Sequence, residues 1–256
     1  ASGNSDGIVV KLNSSGTVAY AATASGPGAD TLRGIGVDSA GNAFVAGQFY
    51  GTANFGAIIR TSKGLGDIVF GKVNSSGTFI WAYRAGGQYV DSASSLALDS
   101  SNNAYITGYF RDSSDFDSST LSASGAADVF VTKLNANGVF QWTRQAGGTG
   151  TDYGWDIAVS TTGVVVTGSF ESSMTVGNAL TSAGASDAFI AEYTSSGTAR
   201  WSKKYGGTGA DIGFACMALG NGEYAIGGYY SGTATFGSTN KTSAGDADIA
   251  NWRFTR

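Results

Sequence analysis

Asp67-Ile-Val-Phe-Gly-Lys-Val73, Asp128-Val-Phe-Val-Thr-Lys-Leu134 and Asp187-Ala-Phe-Ile-Ala-Glu-Tyr193 are three copies of one phrase, an aspartate followed by a run rich in apolar, β-branched and aromatic residues. Asp6-Gly-Ile-Val-Val-Lys-Leu12 and Asp248-Ile-Ala-Asn-Trp-Arg-Phe254 repeat it near the two ends. The five aspartates are 61, 61, 59 and 61 residues apart. Tyr20, Trp81, Trp142 and Trp201 step by 61, 61 and 59, and Gly47, Gly108, Gly168 and Gly227 by 61, 60 and 59. Several landmarks that keep their mutual offsets identify a repeat protein. The length differences fall in turns, as in Asp38-Ser-Ala-Gly-Asn42 against Ser160-Thr-Thr-Gly163, and leave the strands whole.

Each repeat reads as four short strands. In the second copy, residues 68–73 and 78–84 flank the turn Asn74-Ser-Ser-Gly77, with Phe79, Trp81 and Tyr83 on one face at period two. A second hairpin follows, 95–99 and 104–110 around Ser100-Ser-Asn-Asn103. β-Branched and aromatic residues dominate, and no helical periodicity survives, so the fold class is all-β. Segments such as 51–64 add a looser insert that predicts a small extra hairpin. Four strands per repeat, repeated radially, describe β-propeller blades.

These residues also resemble the bacterial β-propeller repeats called SBBP. The likeness rests on Gly147-Gly-Thr-Gly-Thr-Asp152, on Asp38-Ser-Ala-Gly-Asn-Ala-Phe-Val-Ala-Gly47, on Phe55-Gly56, and on a Ser-x-Gly before Asp-x-Phe, as in Ser182-Ala-Gly184 before Asp187-Ala-Phe189. The resemblance implies a propeller on a secreted or cell-surface bacterial protein, with no catalytic residues to carry over. Seven blades are the family's namesake, whereas about four are encoded here.

By analogy with such propellers, a single domain over 1–256 would hold blades at about 31–87, 92–148 and 153–207. A fourth would combine 212–256 with the hairpin 6–20. One strand is surplus, because the Asp-led strand occurs five times and every other strand four times. Three readings follow: a closed four-bladed ring with one terminus as an extra edge strand, a strand that completes a neighbouring molecule, or a piece of a longer array.

Composition narrows the chemistry. The 256 residues contain 40 Gly, no His and a single Cys, and charged residues are 13% against an ordinary 25% or so. A net charge of −4 argues against nucleic acid and anionic membrane surfaces. No run approaches the roughly 18 apolar residues of a membrane span. Without His there is no Ser-His-Asp or Cys-His system and no His-based metal site. The chain is therefore expected not to be an enzyme and to carry no cofactor. Asp112, Asp115 and Asp117 have the oxygen density of a calcium loop but lack its spaced Gly and terminal Glu. Asp30, Asp91, Asp152 and Asp211 recur after Gly-rich turns, which predicts a turn-capping role. Glu192 stands where other repeats carry Lys11, Lys72 and Lys133, which predicts an outer, solvated strand position, and Cys216 reads as buried filler.

Two sets of residues remain as functional candidates. Arg33, Ser94, Trp155 and Phe214 share the position three residues after the repeated Asp, and with Tyr89, Tyr153 and Asp156 they form a candidate ligand site. Aromatic rings flanked by acids suit sugars, so surface glycans are one expected partner. The second set is the surplus strand, Asp248, Ile249, Trp252 and Phe254, where Trp252 replaces Val10, Gly71, Thr132 and Ala191. The expected function is a secreted or cell-surface structural scaffold that assembles with itself into a filament or coat. A carbohydrate-binding adhesin is the alternative, and a hydrolase stands third.

Overall fold

The computed structural model describes residues 3–255, and among these every regular element is a strand. β1 (Gly7–Leu12) and β2 (Val18–Ser25) form an N-terminal hairpin. The first repeat follows as β3 (Thr31–Val37), β4 (Ala43–Phe55), β5 (Ile58–Val73) and β6 (Phe79–Gly87). The second comprises β7 (Ser92–Leu98), β8 (Ala104–Phe110), β9 (Ser113–Phe116), β10 (Ser119–Ser122), β11 (Asp128–Leu134) and β12 (Phe140–Ala146). In the third, β13 (Tyr153–Ser160), β14 (Gly163–Phe170), β15 (Ser173–Val176), β16 (Asn178–Thr181), β17 (Asp187–Thr194) and β18 (Ala199–Gly207) recur in the same order. The chain ends with β19 (Ile212–Gly220), β20 (Glu223–Tyr230), β21 (Thr233–Phe236), β22 (Thr239–Thr242) and β23 (Asp248–Thr255).

Every pairing between these strands is antiparallel. The sheets run β3-β4-β5-β6, β7-β8-β11-β12 and β13-β14-β17-β18, whereas the last runs only β19-β20-β23. The predicted inserts are hairpins, as extensions of β4 and β5 and as β9-β10, β15-β16 and β21-β22. Residues 6–20 were expected beside the fourth sheet. They form β1-β2 instead, whose end pairs with β4 through Ala24 and Ser25. The chain divides into two compact units: residues up to 106 with 110–122 and 134–141, and the remainder.

Local chemistry fixes these strands. The second strand of each four-stranded sheet has both faces covered, as in Ala43–Phe49 and Val164–Phe170, and accordingly reads as a near-continuous apolar run. Hairpin turns are closed by short polar side chains. Asn74 accepts from the backbone N–H of Ser76 (3.0 Å) and Thr78 (2.9 Å), and Asp99 from Ser101 and Asn103 (both 2.9 Å). Inner strands carry a bulge at Arg33, Trp155 and Phe214. Opposite these bulges a Cβ on Gly47, Gly168 or Gly228 would run into the carbonyl oxygen of Thr31, Tyr153 or Ile212, so only glycine fits. The fourth member of that glycine series is therefore Gly228 rather than Gly227.

The repeated aspartates tie each sheet together. Asp91 accepts from the N–H groups of Gly87 (2.7 Å) and Arg111 (2.8 Å) and from Ser114 Oγ (3.1 Å). Asp152 accepts from Gly148 (2.8 Å) and Glu171 (3.2 Å), Asp211 from Gly207 (2.8 Å) and Ser231 (3.1 Å), and Asp30 from Tyr50 (3.1 Å). All four are buried. Their own N–H groups donate to the carbonyls of Ser5, Gly66, Ala127 and Ser186, each immediately before a repeated strand Asp. Those aspartates are held in turn. Asp67, Asp128 and Asp187 take Arg84 Nη1 (2.7 Å), Gln145 Nε2 (2.6 Å) and Lys204 Nζ (2.7 Å), always from the residue 17 positions on.

Burial pushes the Asp91 carboxyl up to about 6 and Asp152 to about 7, against the pull of their N–H donors. A carboxyl whose folded pKa exceeds its unfolded value stabilises the fold fully below the unfolded value, and that contribution disappears as pH rises through the folded pKa. The midpoint of thermal unfolding is therefore expected to fall between about pH 5 and pH 8. Asp152→Asn should flatten that slope while lowering stability, by about 1–3 kcal/mol, because one N–H loses its acceptor. A calorimetric pH series on both proteins checks this, and an unchanged slope would count against it.

Candidate functional site

The last sheet contains three strands among the described residues, and the outer edge of its third strand, β23, is unpaired there. β5 is bonded on both sides, to β4 and β6, and β17 likewise to β14 and β18. β23 is bonded to β20 along its whole length, and among the described residues no strand lies on its other edge. Asp248 accepts from Ala244 N–H (3.0 Å), as its counterparts accept four residues back.

A groove of 910 Å³ occupies that place, lined by Lys203, Lys204, Tyr205, Phe236, Trp252 and Phe254 among others. Trp252 lies 5.1 Å from the Tyr205 ring and 4.7 Å from Phe236, measured between centroids. Phe254 packs against Tyr205 (5.6 Å) and stacks on Tyr224 (5.7 Å), with Lys203 Nζ 4.8 Å from its centroid. In the first repeat Phe79, the first residue of the outermost strand, fills the corresponding space. Its ring packs on Phe55 at 5.7 Å and lies over Gly71. Phe236 and Trp252 stand at the repeat positions of Phe55 and Gly71. An aromatic thus stands in β23 where the equivalent residues are Val10, Gly71, Thr132 and Ala191. Ile249 is 84% exposed on the same strand.

Glu192 anchors the floor beneath these rings. It was expected in a solvated strand and is instead fully buried, because the Lys-to-Glu change comes with a new set of donors. Trp201 Nε1 (2.8 Å), Tyr224 OH (3.1 Å), Ser160 Oγ (3.2 Å) and Thr162 Oγ1 all donate to it, with Arg200 at 3.8 Å. Burial pushes this carboxyl up, but the hydrogen bonds outweigh it and hold the group below the usual range. The equivalent Lys72 pairs with Asp38 (3.2 Å) and lies over Phe44.

The other candidates divide. Tyr153, Trp155 and Phe214 form one aromatic row, with centroid spacings of 5.6 and 5.8 Å, extended by Tyr109 and Tyr229 at its ends. Trp155 Nε1 donates to Ser169 Oγ at 3.3 Å. Sequence reasoning missed Tyr109 and Tyr229, whose place next to the row depends on strand pairing. Asp156 accepts from Cys216 N–H at 2.8 Å, and burial together with Asp156 pushes the Cys216 thiol well above the usual thiol range. Arg33 and Tyr89 belong to the other compact unit. Asp115 pairs with Lys63 at 2.7 Å, while Asp112 and Asp117 take left-handed turn conformations beside β9 and β10. Among the described residues no three acidic or sulfur side chains gather as a metal site.

No protein-family model matches the sequence. The chain is similar to an uncharacterized WD repeat-containing protein of Acanthamoeba polyphaga mimivirus, 25% identical over 206 residues that cover 67% of this chain. The match spans 15% of that relative's length. WD repeats are four-stranded propeller blades of about 40–45 residues. That similarity and the repeated antiparallel sheets fit a repeat protein of β-propeller-like class. The inserted hairpins account for much of the extra length of the present repeats.

Phe254→Ala should cost about 3 kcal/mol, since it removes a ring from the Tyr205–Tyr224 cluster and hollows the floor of the groove. Chemical denaturation, with near-ultraviolet circular dichroism for the aromatic cluster, measures this. A loss below about 0.5 kcal/mol would mean that the cluster does not hold β23.

Proposed function

We propose that the chain is a non-enzymatic structural subunit, displayed outside the cell, whose propeller blades form a scaffold that assembles with itself into a filament or surface coat. The observation that carries this reading is the outer edge of β23, which is unpaired among the described residues and faces an aromatic-lined groove. An unpaired strand edge offers backbone N–H and C=O groups in register, and an incoming strand satisfies them while its side chains fill the groove. The sheets before it supply the pattern that such a strand would complete. A heterologous contact of this type propagates unless rotation closes it.

Mass photometry and sedimentation of the full chain should show mass rising with concentration, and negative-stain images should show polymers or rings. Trp252→Asp is expected to weaken assembly about tenfold or more, as loss of a central aromatic anchor does. A chain that stays at 25.9 kDa up to about 100 μM would refute the reading.

A second reading, carbohydrate binding, draws support from the bulges that carry Trp155 and Phe214. Bulges re-aim side chains, and Phe214 is exposed at the edge of the row. A glycan array probed with the wild type and with Trp155→Ala is expected to show binding that the variant loses. Absence of binding to any glycan counts against this reading.

A further inference from the structure

Asn-Gly occurs twice in the chain, at 137–138 and 221–222, in two different chemical settings. The dipeptide is fragile because glycine, with no side chain of its own, lets its amide nitrogen reach the side chain of the asparagine before it. Asparagine is accordingly among the thermolabile residues that heat-adapted proteins use sparingly. Two conditions decide whether a folded chain permits the approach. The glycine N–H must be free of an acceptor, and the asparagine side chain must be free to turn.

Asn137-Gly138 does not meet the first condition. It lies in the turn between β11 and β12, where Gly138 N–H donates to the Asn135 carbonyl at 2.9 Å and Asn137 N–H to Asn135 Oδ1 at 3.0 Å. Gly138 is buried, and a Cβ there would lie 2.8 Å from the rings of both Trp81 and Tyr83. Reaction at this nitrogen requires the turn bond to break beneath two packed aromatic side chains.

Asn221-Gly222 meets both conditions. These two residues make the turn between β19 and β20, with Gly220 opposite Glu223. φ is 52° at Asn221 and 75° at Gly222, the left-handed pair that a two-residue hairpin of this type demands and that favours Asn-Gly. Such a turn bonds its flanking residues to each other and leaves the N–H of its second residue over. Among the described residues neither Gly222 N–H nor the Asn221 side chain makes a hydrogen bond. Asn221 is exposed, and nothing lies within 4 Å of a Cβ on Gly222.

We propose that Asn221 is a site of spontaneous covalent modification, with water as its co-reactant. The Gly222 nitrogen attacks Asn221 Cγ and gives up its proton; the N–Cγ bond forms, the Cγ–Nδ2 bond breaks, and ammonia leaves with that proton. Water then opens the five-membered imide at either carbonyl. Cleavage of the new N–Cγ bond gives aspartate, and cleavage of the original peptide bond gives isoaspartate. Both products add a negative charge beside Glu223, whose carboxylate pairs with Arg253. Isoaspartate also adds one atom to the backbone inside a turn that fixes the β19–β20 register.

The test incubates the full-length chain at mildly alkaline pH, folded and unfolded in guanidinium, and follows both asparagines by peptide mapping with mass spectrometry. In the folded chain Asn221 is expected to convert roughly fivefold or more faster than Asn137, which must first give up its turn bond. In guanidinium the two should convert at similar rates. Asn221→Gly suits the left-handed turn and should remove the first acidic species that anion exchange resolves from the wild type. Equal conversion of the two sites in the folded chain, faster conversion of Asn137, or a ranking that unfolding leaves unchanged would overturn the assignment. The same first acidic species in Asn221→Gly would overturn it as well.

Discussion

A buried carboxylate that accepts backbone N–H groups from two distant points of the chain is the constraint on which each sheet depends. Asp91 joins Gly87, four residues before it, to Arg111, twenty residues after it, and its own N–H reaches the carbonyl of Gly66. Asp152 and Asp211 do the same in their repeats. Burial of such a group is costly unless its oxygens are satisfied, so strand ends, turn and following hairpin must converge on it together. This explains why the repeat tolerates Trp, Phe, Arg or Ser three residues later while the aspartate and the glycine-rich turn recur. It also explains the raised carboxyl pKa values, since the site is built for geometry at the expense of solvation.

The same logic runs through the last sheet. Asp211 is clamped like its predecessors, β19 and β20 pair as an inner hairpin, and β23 lies in the third position with its own turn bonded to Asp248. The third strand differs locally from its counterparts. Trp252 replaces a small residue, and Glu192 with its four donors secures Tyr224 under Phe254. An edge covered by aromatic rings yet open to a further strand differs from the usual protected edge, which is short, charged or bulged.

Much of this was legible before any coordinates. Landmarks with fixed offsets located every strand of the three full sheets, and the alternation around Trp81 gave their pairing. The choice between the two ends for the last sheet was not legible, because Asp6–Leu12 and Asp248–Phe254 carry the same phrase. The fold resolves it through contacts at long range, Tyr224, Tyr205 and Phe236 on one side and Ala24 with Phe55 on the other. Glu192 was misread for a related reason. A charge in a strand signals solvent unless the partners that bury it are known, and Ser160, Thr162, Trp201 and Tyr224 come from four different strands and turns. The close backbone approach falls on Gly228 rather than on the neighbouring Gly227, and adjacent glycines leave the choice to the strand register. Trp155 and Phe214 share a repeat position and lie in one aromatic row with Tyr153, while Asp156 turns inward to the backbone of β19.

The claim that β23 presents an acceptor edge is tested most directly by amide hydrogen exchange on that strand at two protein concentrations. In dilute solution the amides of β23 that are not bonded to β20 are expected to exchange freely while their alternates are protected. At high concentration both sets should be protected. Protection of all β23 amides in the dilute monomer, or free exchange of the outer set in the assembled state, would contradict the account.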